Sequence, residues 1–410
     1  MGLSRRSGIA LGIALSCVAW ANRPARALRE PDDRWIAVQG ERVVLFGDIA
    51  ESQGRTLALQ LERLRHVLVG VAPALRTDSS RPLYVYVFGE DASFGAYASK
   101  QGADRGVGGL SFSGADGDYI MINAGGEAHT FGVLYHEYLH HVVVDSFPGL
   151  PLCLNEGLAE FFSTFWTNGY QAEIGAPIAE HLDLLAGSTL LPLEILFEVT
   201  PQSVSYTDVA AKKLFHAESW LLTHYLLQGR PELRDAIPRY LQAVRGGSAD
   251  LSTFGEAVAT DLETLEADLA TYLRKGVLPN STIDFAAPIS ETAIVVSEMT
   301  DGDVHFSLGR LLANGRPEGH AAAERHFARA LALDPEDAAS LTAMADLRHR
   351  QGKTDDAAAY ERMAEASTLL SRGETAAAVA ALRQALAATT DTAARRRLQT
   401  RLRQIGGSGG

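Results

Sequence analysis

The sequence predicts an α+β body followed by an all-α module of helical repeats. Three observations carry that expectation. Short alternating stretches rich in Val, Ile and Tyr precede residue 124, apolar helical periodicity dominates from Thr130 to Tyr272, and from about Val304 the composition shifts to Ala, Arg and Leu. A chain of 410 residues that is 46% hydrophobic has material for two or three domains with real cores. Its formal net charge of −13 argues against nucleic acid or an anionic membrane surface as a partner.

The first residues read as an address. Arg5 and Arg6 form a basic start, and Ile9 to Trp20 is apolar but too short for a retained membrane span. Ala19-Trp20-Ala21 and Ala25-Arg26-Ala27 both suit a signal peptidase, the second being preferred, so residues 1–27 are expected to be a signal peptide. The mature chain is then expected to be periplasmic or secreted, with no stable membrane span. Cys17 raises a lipoprotein alternative, but Ala14-Leu15-Ser16-Cys17 is a poor lipidation site. Removing the leader leaves Cys153 alone, which forbids an intramolecular disulfide and reads as a small apolar filler.

Trp35 to Phe46 reads as one or two strands, and Ile49 to Leu75 as a helix with Leu57, Leu61, Leu64, Leu68 and Val71 on one face. Pro82 to Phe88 alternates as a strand does. The glycine-rich stretch from Gly102 to Gly117 lacks a following helix, which excludes a phosphate loop, and reads as a flexible strap and turn. Asp118 to Asn123 is a further strand. Glu173 to Tyr272 is mainly helical, and Thr282 to Asp303, with Pro288 and Gly302, suits a linker.

The densest chemistry lies in His136-Glu137-Tyr138-Leu139-His140. On a helix, positions four apart share a face, so both imidazoles can reach one ion, and Glu137 stands at the rim of that face to hold the proton of an attacking water. The flanking run from Thr130 to Val144 is largely apolar, and burying His and Glu there without partners would be costly. Glu156, sixteen positions beyond His140, is placed to be a third ligand once Ser146, Pro148, Gly149 and Pro151 reverse the chain into a second helix, Leu152 to Trp166. Glu160, one turn on, can accept the other N–H of a ligand histidine and so fix its tautomer. His129, His141, His181 and His224 have no ligand spacing to one another and read as packing or surface residues.

His-Glu-x-x-His followed by Asn155-Glu156-Gly157-Leu158-Ala159 resembles the gluzincin metallopeptidases, the thermolysin and aminopeptidase N type, and more closely the bacterial peptidase-MA-like proteins that join this domain to helical repeats. The resemblance runs from about Trp35 to Leu278. It implies a thermolysin-like domain over 35–280 with a small mixed sheet, active-site helices and a helical subdomain, Zn²⁺ held by His136, His140 and Glu156, Glu137 as general base, and a peptide or protein substrate. It also places an oxyanion donor on the helix containing Phe215-His216-Ala217-Glu218-Ser219-Trp220. His216 stands there, sixty residues after Glu156, with Tyr206 in reserve. In such folds a sheet edge also pairs with extended substrate, a role that falls here on Asp118 to Asn123.

After a linker at 281–303, residues 304–405 resemble tetratricopeptide repeats. Ala323, Phe327, Ala330 and Pro335 lie at the offsets of a repeat's second helix, and Gly352 and Gly373 mark turns closer together than the usual period of about 34 residues. Residues 406–410 read as a flexible tail. The repeats either recruit a protein partner or pack on the catalytic part. The competing reading is a non-catalytic, metal-binding scaffold that acts through these repeats. Intact Glu137 argues against it, since a structural metal site needs no base.

Overall fold

A computed structural model describes residues 34–79, 81–101, 107–125, 130–285 and 293–407. The expected leader at 1–27 and His129 lie outside these residues. The fold is α+β: a mixed six-stranded sheet with helices in the N-terminal half, then a run of packed helices.

The strands are β1 (Ile36–Gln39), β2 (Val43–Gly47), β3 (Leu83–Phe88), β4 (Gly109–Ser113), β5 (Asp118–Asn123), β6 (Trp166–Thr167), β7 (Gln171–Ile174), β8 (Ser281–Asp284) and β9 (Val295–Glu298). The large sheet runs β4-β5-β3-β2-β1-β9, and β6-β7-β8 form a smaller one. Parallel pairing of β2 with β3 and of β3 with β5 requires crossovers, which α1 (Glu51–Val71) and α2 (Asp91–Ala98) help to supply. The strand sequences Leu-Tyr-Val-Tyr-Val-Phe and Asp-Tyr-Ile-Met-Ile-Asn are nearly all apolar because both sheet faces are covered. One face carries Val85, Val87, Ile120 and Ile122 onto α1 and α3 (Thr130–Ser146). The other carries Tyr86, Phe88, Tyr119 and Met121 onto α2, α12 (Asp301–Asn314) and α13 (His320–Leu333).

The sheet order corrects two expectations. The stretch read as a strap contains β4, which is the edge strand. Asp118–Asn123 lies between β4 and β3, with both edges bonded, and cannot offer a free edge to substrate. Two smaller corrections follow from burial and turns. Val71 is 38% exposed because α1 ends there, and α4 (Leu152–Ser163) stops before Trp166, which belongs to β6.

Helix α8 (Val209–His224) packs on α4, and α5 (Ala179–Ala186), α6 (Leu193–Glu198), α7 (Val204–Thr207), α9 (Ala236–Arg245), α10 (Leu251–Val258) and α11 (Leu262–Leu273) complete the helical core around this pair. The stretch expected as a linker is largely structured at its ends. β8 pairs with β7, and β9 returns to the outer edge of β1 before the chain enters the C-terminal helices, completed by α14 (Ala338–Arg350), α15 (Thr354–Ser371), α16 (Thr375–Ala388) and α17 (Thr392–Gly407). Gly352 and Gly373 take positive φ, 73° and 80°, at the ends of α14 and α15, where a left-handed residue closes the helix.

Candidate metal centre

Helix α3 carries His136, Glu137 and His140, and α4 returns antiparallel to it with Asn155, Glu156 and Glu160. The third wall is α8. A Cβ on Gly157 would overlap the Thr223 hydroxyl and the Ser219 carbonyl, so glycine beside Glu156 is what lets α4 and α8 touch and brings His216 to the cluster.

The ligand atoms converge. Glu156 Oε2 lies 3.4 Å from His136 Nε2 and 3.3 Å from His140 Nε2, and the two imidazole nitrogens are 2.9 Å apart. Ligands about 2.0–2.2 Å from a tetrahedral zinc sit roughly 3.3–3.6 Å from one another, so the two histidines need open only by about half an ångström. Glu156 Oε2 is buried and has no hydrogen-bond partner, although Oε1 accepts from the Tyr206 hydroxyl at 2.7 Å. An orphaned carboxylate oxygen facing imidazole nitrogens fits a cation between them. The donor set His136, His140 and Glu156 is therefore a candidate metal-binding group.

Electrostatics agree. Burial opposes charge on His140, yet Glu156 and Glu137 outweigh it and raise its pKa to about 9. His136 is likewise raised against burial and against His140, through Glu160 and Glu156. Burial also opposes ionisation of Glu156, but His140 and His136 hold its carboxyl well below the usual range. Glu160 is lowered in the same way, against burial, by His136, His181 and His216. Carboxylates this strongly ionised bind protons on the imidazoles when no metal takes their place.

The surrounding residues orient the ligands. His140 Nδ1 is 3.0 Å from Asn155 Oδ1, an acceptor, so Nδ1–H donates there and Nε2 is left free for a metal. Glu160 gathers three histidines, with Oε1 3.0 Å from His216 Nδ1 and 3.6 Å from His136 Nδ1, and Oε2 3.3 Å from His181 Nε2. Glu137, buried at the helix rim, accepts the Ser111 hydroxyl of β4 at 2.7 Å. His216 Nε2 is buried without a hydrogen bond, 3.6 Å from Glu156 Oε2. A neutral His216 that donates Nδ1–H to Glu160 keeps a lone pair on Nε2, so it donates from Nε2 only when doubly protonated. The Tyr206 phenol is different. Burial and the neighbouring Glu156 raise its pKa, and it stays a donor.

All six expected site residues meet here: His136, Glu137, His140, Glu156, Glu160 and His216 line one cavity of 1410 Å³ with Tyr206. His141 points away, to Asp118 Oδ2 at 3.2 Å, and His224 is a packing residue held between Tyr272 and the Gly175 carbonyl. His181 departs from the expectation, since it reaches Glu160 from α5. Ser111 and His181 carried no recognisable sequence signal, while Asn155 stood in the Asn-Glu-Gly motif without a role assigned to it.

No protein-family model matches the chain. No curated protein matches it either. The class defined by fold and site is an α+β protein with a buried His₂Glu cluster of the His-Glu-x-x-His…Glu type.

Proposed function

We propose that the chain is a zinc-dependent peptidase of gluzincin type, with a thermolysin-like domain over 35–280 and a tetratricopeptide-like module over 304–405, acting in the periplasm or outside the cell. One observation carries the reading. A base, Glu137, adjoins a convergent His₂Glu donor set in a large open cleft beside a sheet edge, which is more than a structural metal site requires. Among the described residues no helix is long and apolar enough to cross a membrane.

Zinc bound by His136, His140 and Glu156 would supply Lewis-acid activation of water and carbonyl. Glu137, oriented by Ser111, takes the proton from the attacking water and passes it to the leaving amine. His216, when doubly protonated and held by Glu160 at Nδ1–H, donates from Nε2 to the oxyanion that develops on the carbonyl, with Tyr206 as the reserve donor once its O–H leaves Glu156. The free edge of β4 pairs with the extended substrate backbone.

The test is a peptide-library digest by the zinc-loaded full chain beside its Glu137→Gln variant. Cleavage by the first and not the second supports hydrolysis. Cleavage by neither, with zinc retained, supports the scaffold reading instead.

A further inference from the structure

The C-terminal helices do more than pack on the sheet. The turn after α12 reaches the candidate cleft, where Asn314, Gly315 and Arg316 form part of its lining. This turn is clamped. Asn314 Oδ1 accepts from the Ala115 backbone at 3.1 Å and from Arg350 Nη2 at 3.1 Å, while the Arg316 backbone N–H donates to Gln101 Oε1 at 2.9 Å. Gln101 is itself buried and lies across Gly315, where a Cβ would overlap its amide. The clamped turn leaves Arg316 exposed in the lining of the cleft, with no ion pair to its guanidinium among the described residues.

β4 connects the two ends of the cleft lining. Ser111 bonds Glu137, and the chain beyond Ser113 reaches Asn314 through Ala115. Among the described residues lining the cleft, Arg316 is the one arginine and Lys212 the one lysine, and Lys212 Nζ lies 4.4 Å over the Tyr206 ring.

We propose that the C-terminal helical module completes the substrate site, with Arg316 selecting an acidic side chain to one side of the scissile bond of an extended polypeptide. This rests on the peptide-hydrolase reading above. It makes the module a wall of the cleft that reads charge.

The experiment uses quenched fluorescent peptides of one length, carrying Glu, Gln or Lys at each of the four positions on either side of the scissile bond. At one of these positions the full-length zinc-loaded protein should prefer Glu over Gln by about 2–5-fold in kcat/KM, mainly through KM, as for a partly exposed ion pair. Arg316→Ala should erase that ratio, Arg316→Lys should keep part of it, and Gly315→Ala, which displaces the turn, should reduce it. Binding of the same peptides to zinc-loaded Glu137→Gln protein, read by fluorescence anisotropy, gives the ratio without turnover. Absence of a Glu preference in binding, or its persistence in Arg316→Ala, overturns the proposal. An Arg316-dependent preference in binding, with no peptide cleaved by the wild type, sinks the hydrolase reading and leaves this site standing.

Discussion

Two buried histidine clusters in this molecule behave in opposite ways. At the metal centre, His136 and His140 face Glu156, Glu160 and Glu137, and His140 is raised to about 9. Between the sheet and the C-terminal helices, His305 Nδ1 lies 3.0 Å from His326 Nδ1, and His326 Nε2 lies 3.1 Å from the Tyr97 hydroxyl. Burial, then His305 and Arg325, push His326 down to about 3. Both clusters pair imidazoles. At the first, Glu156, Glu160 and Glu137 make a cation welcome, whereas at His326 burial and the neighbouring His305 and Arg325 disfavour charge, so it is the surroundings of the imidazoles that set the two apart.

The largest expected effect is chemical. Glu137→Gln keeps the size of the side chain but cannot take a proton, so zinc should stay while peptide hydrolysis falls by about 10²–10⁴-fold, measured as kcat/KM on any cleaved peptide. Replacing His326 by Leu should leave activity per folded molecule intact, which sharpens the contrast between the clusters.

His216→Phe comes next. Loss of an oxyanion donor should lower kcat by roughly 10²-fold with little change in KM and none in zinc content. If Tyr206→Phe shows that pattern and His216→Phe does not, the persistent phenol donor carries the role.

Truncation near Asp301 probes the interface that holds the second cluster. It would bare Tyr86, Phe88, Tyr119 and Met121, whose face packs on α12 and α13, and remove the hydrogen bond from the Tyr86 hydroxyl to the Ser307 carbonyl. The shortened chain should lose solubility, together with activity on short peptides. A soluble, fully active product would mean that the sheet does not need this cover.

The smallest effect is the opposed pH response of metal-free protein. His140 is raised from 6.5 to about 9, so its contribution to stability is complete below pH 6.5 and lost as pH rises towards 9. His326 is lowered from 6.5 to about 3, so the unfolded chain binds the extra proton first and stability falls as pH drops from 6.5 towards 3. Thermal melts across this range should lose their alkaline limb in His140→Gln and their acid limb in His326→Gln. Unchanged limbs would break the comparison.

Much of the centre was legible because its ligands follow helical spacing: His136, Glu137 and His140 are one turn of one helix, and Glu156 and Glu160 one turn of the next. The strands β1, β2, β3 and β5 were legible from alternation or apolar runs. Edge order was not, because β4 carries Gly109, Ser111 and Ser113 where a strand usually shows branched residues, and its role depends on pairing with β5. His181 and Arg316 were hidden for a related reason. Each is a lone residue brought to the cleft by tertiary packing, and no local spacing announces such a contact.

The most direct test of the central claim is metal content. Purified full-length protein, saturated with zinc and then freed of excess, should hold about one zinc per chain by elemental analysis. His140→Ala and Glu156→Ala should hold close to none, while His326→Leu should match the wild type. Full zinc in both ligand variants, or none in the wild type, would contradict the account.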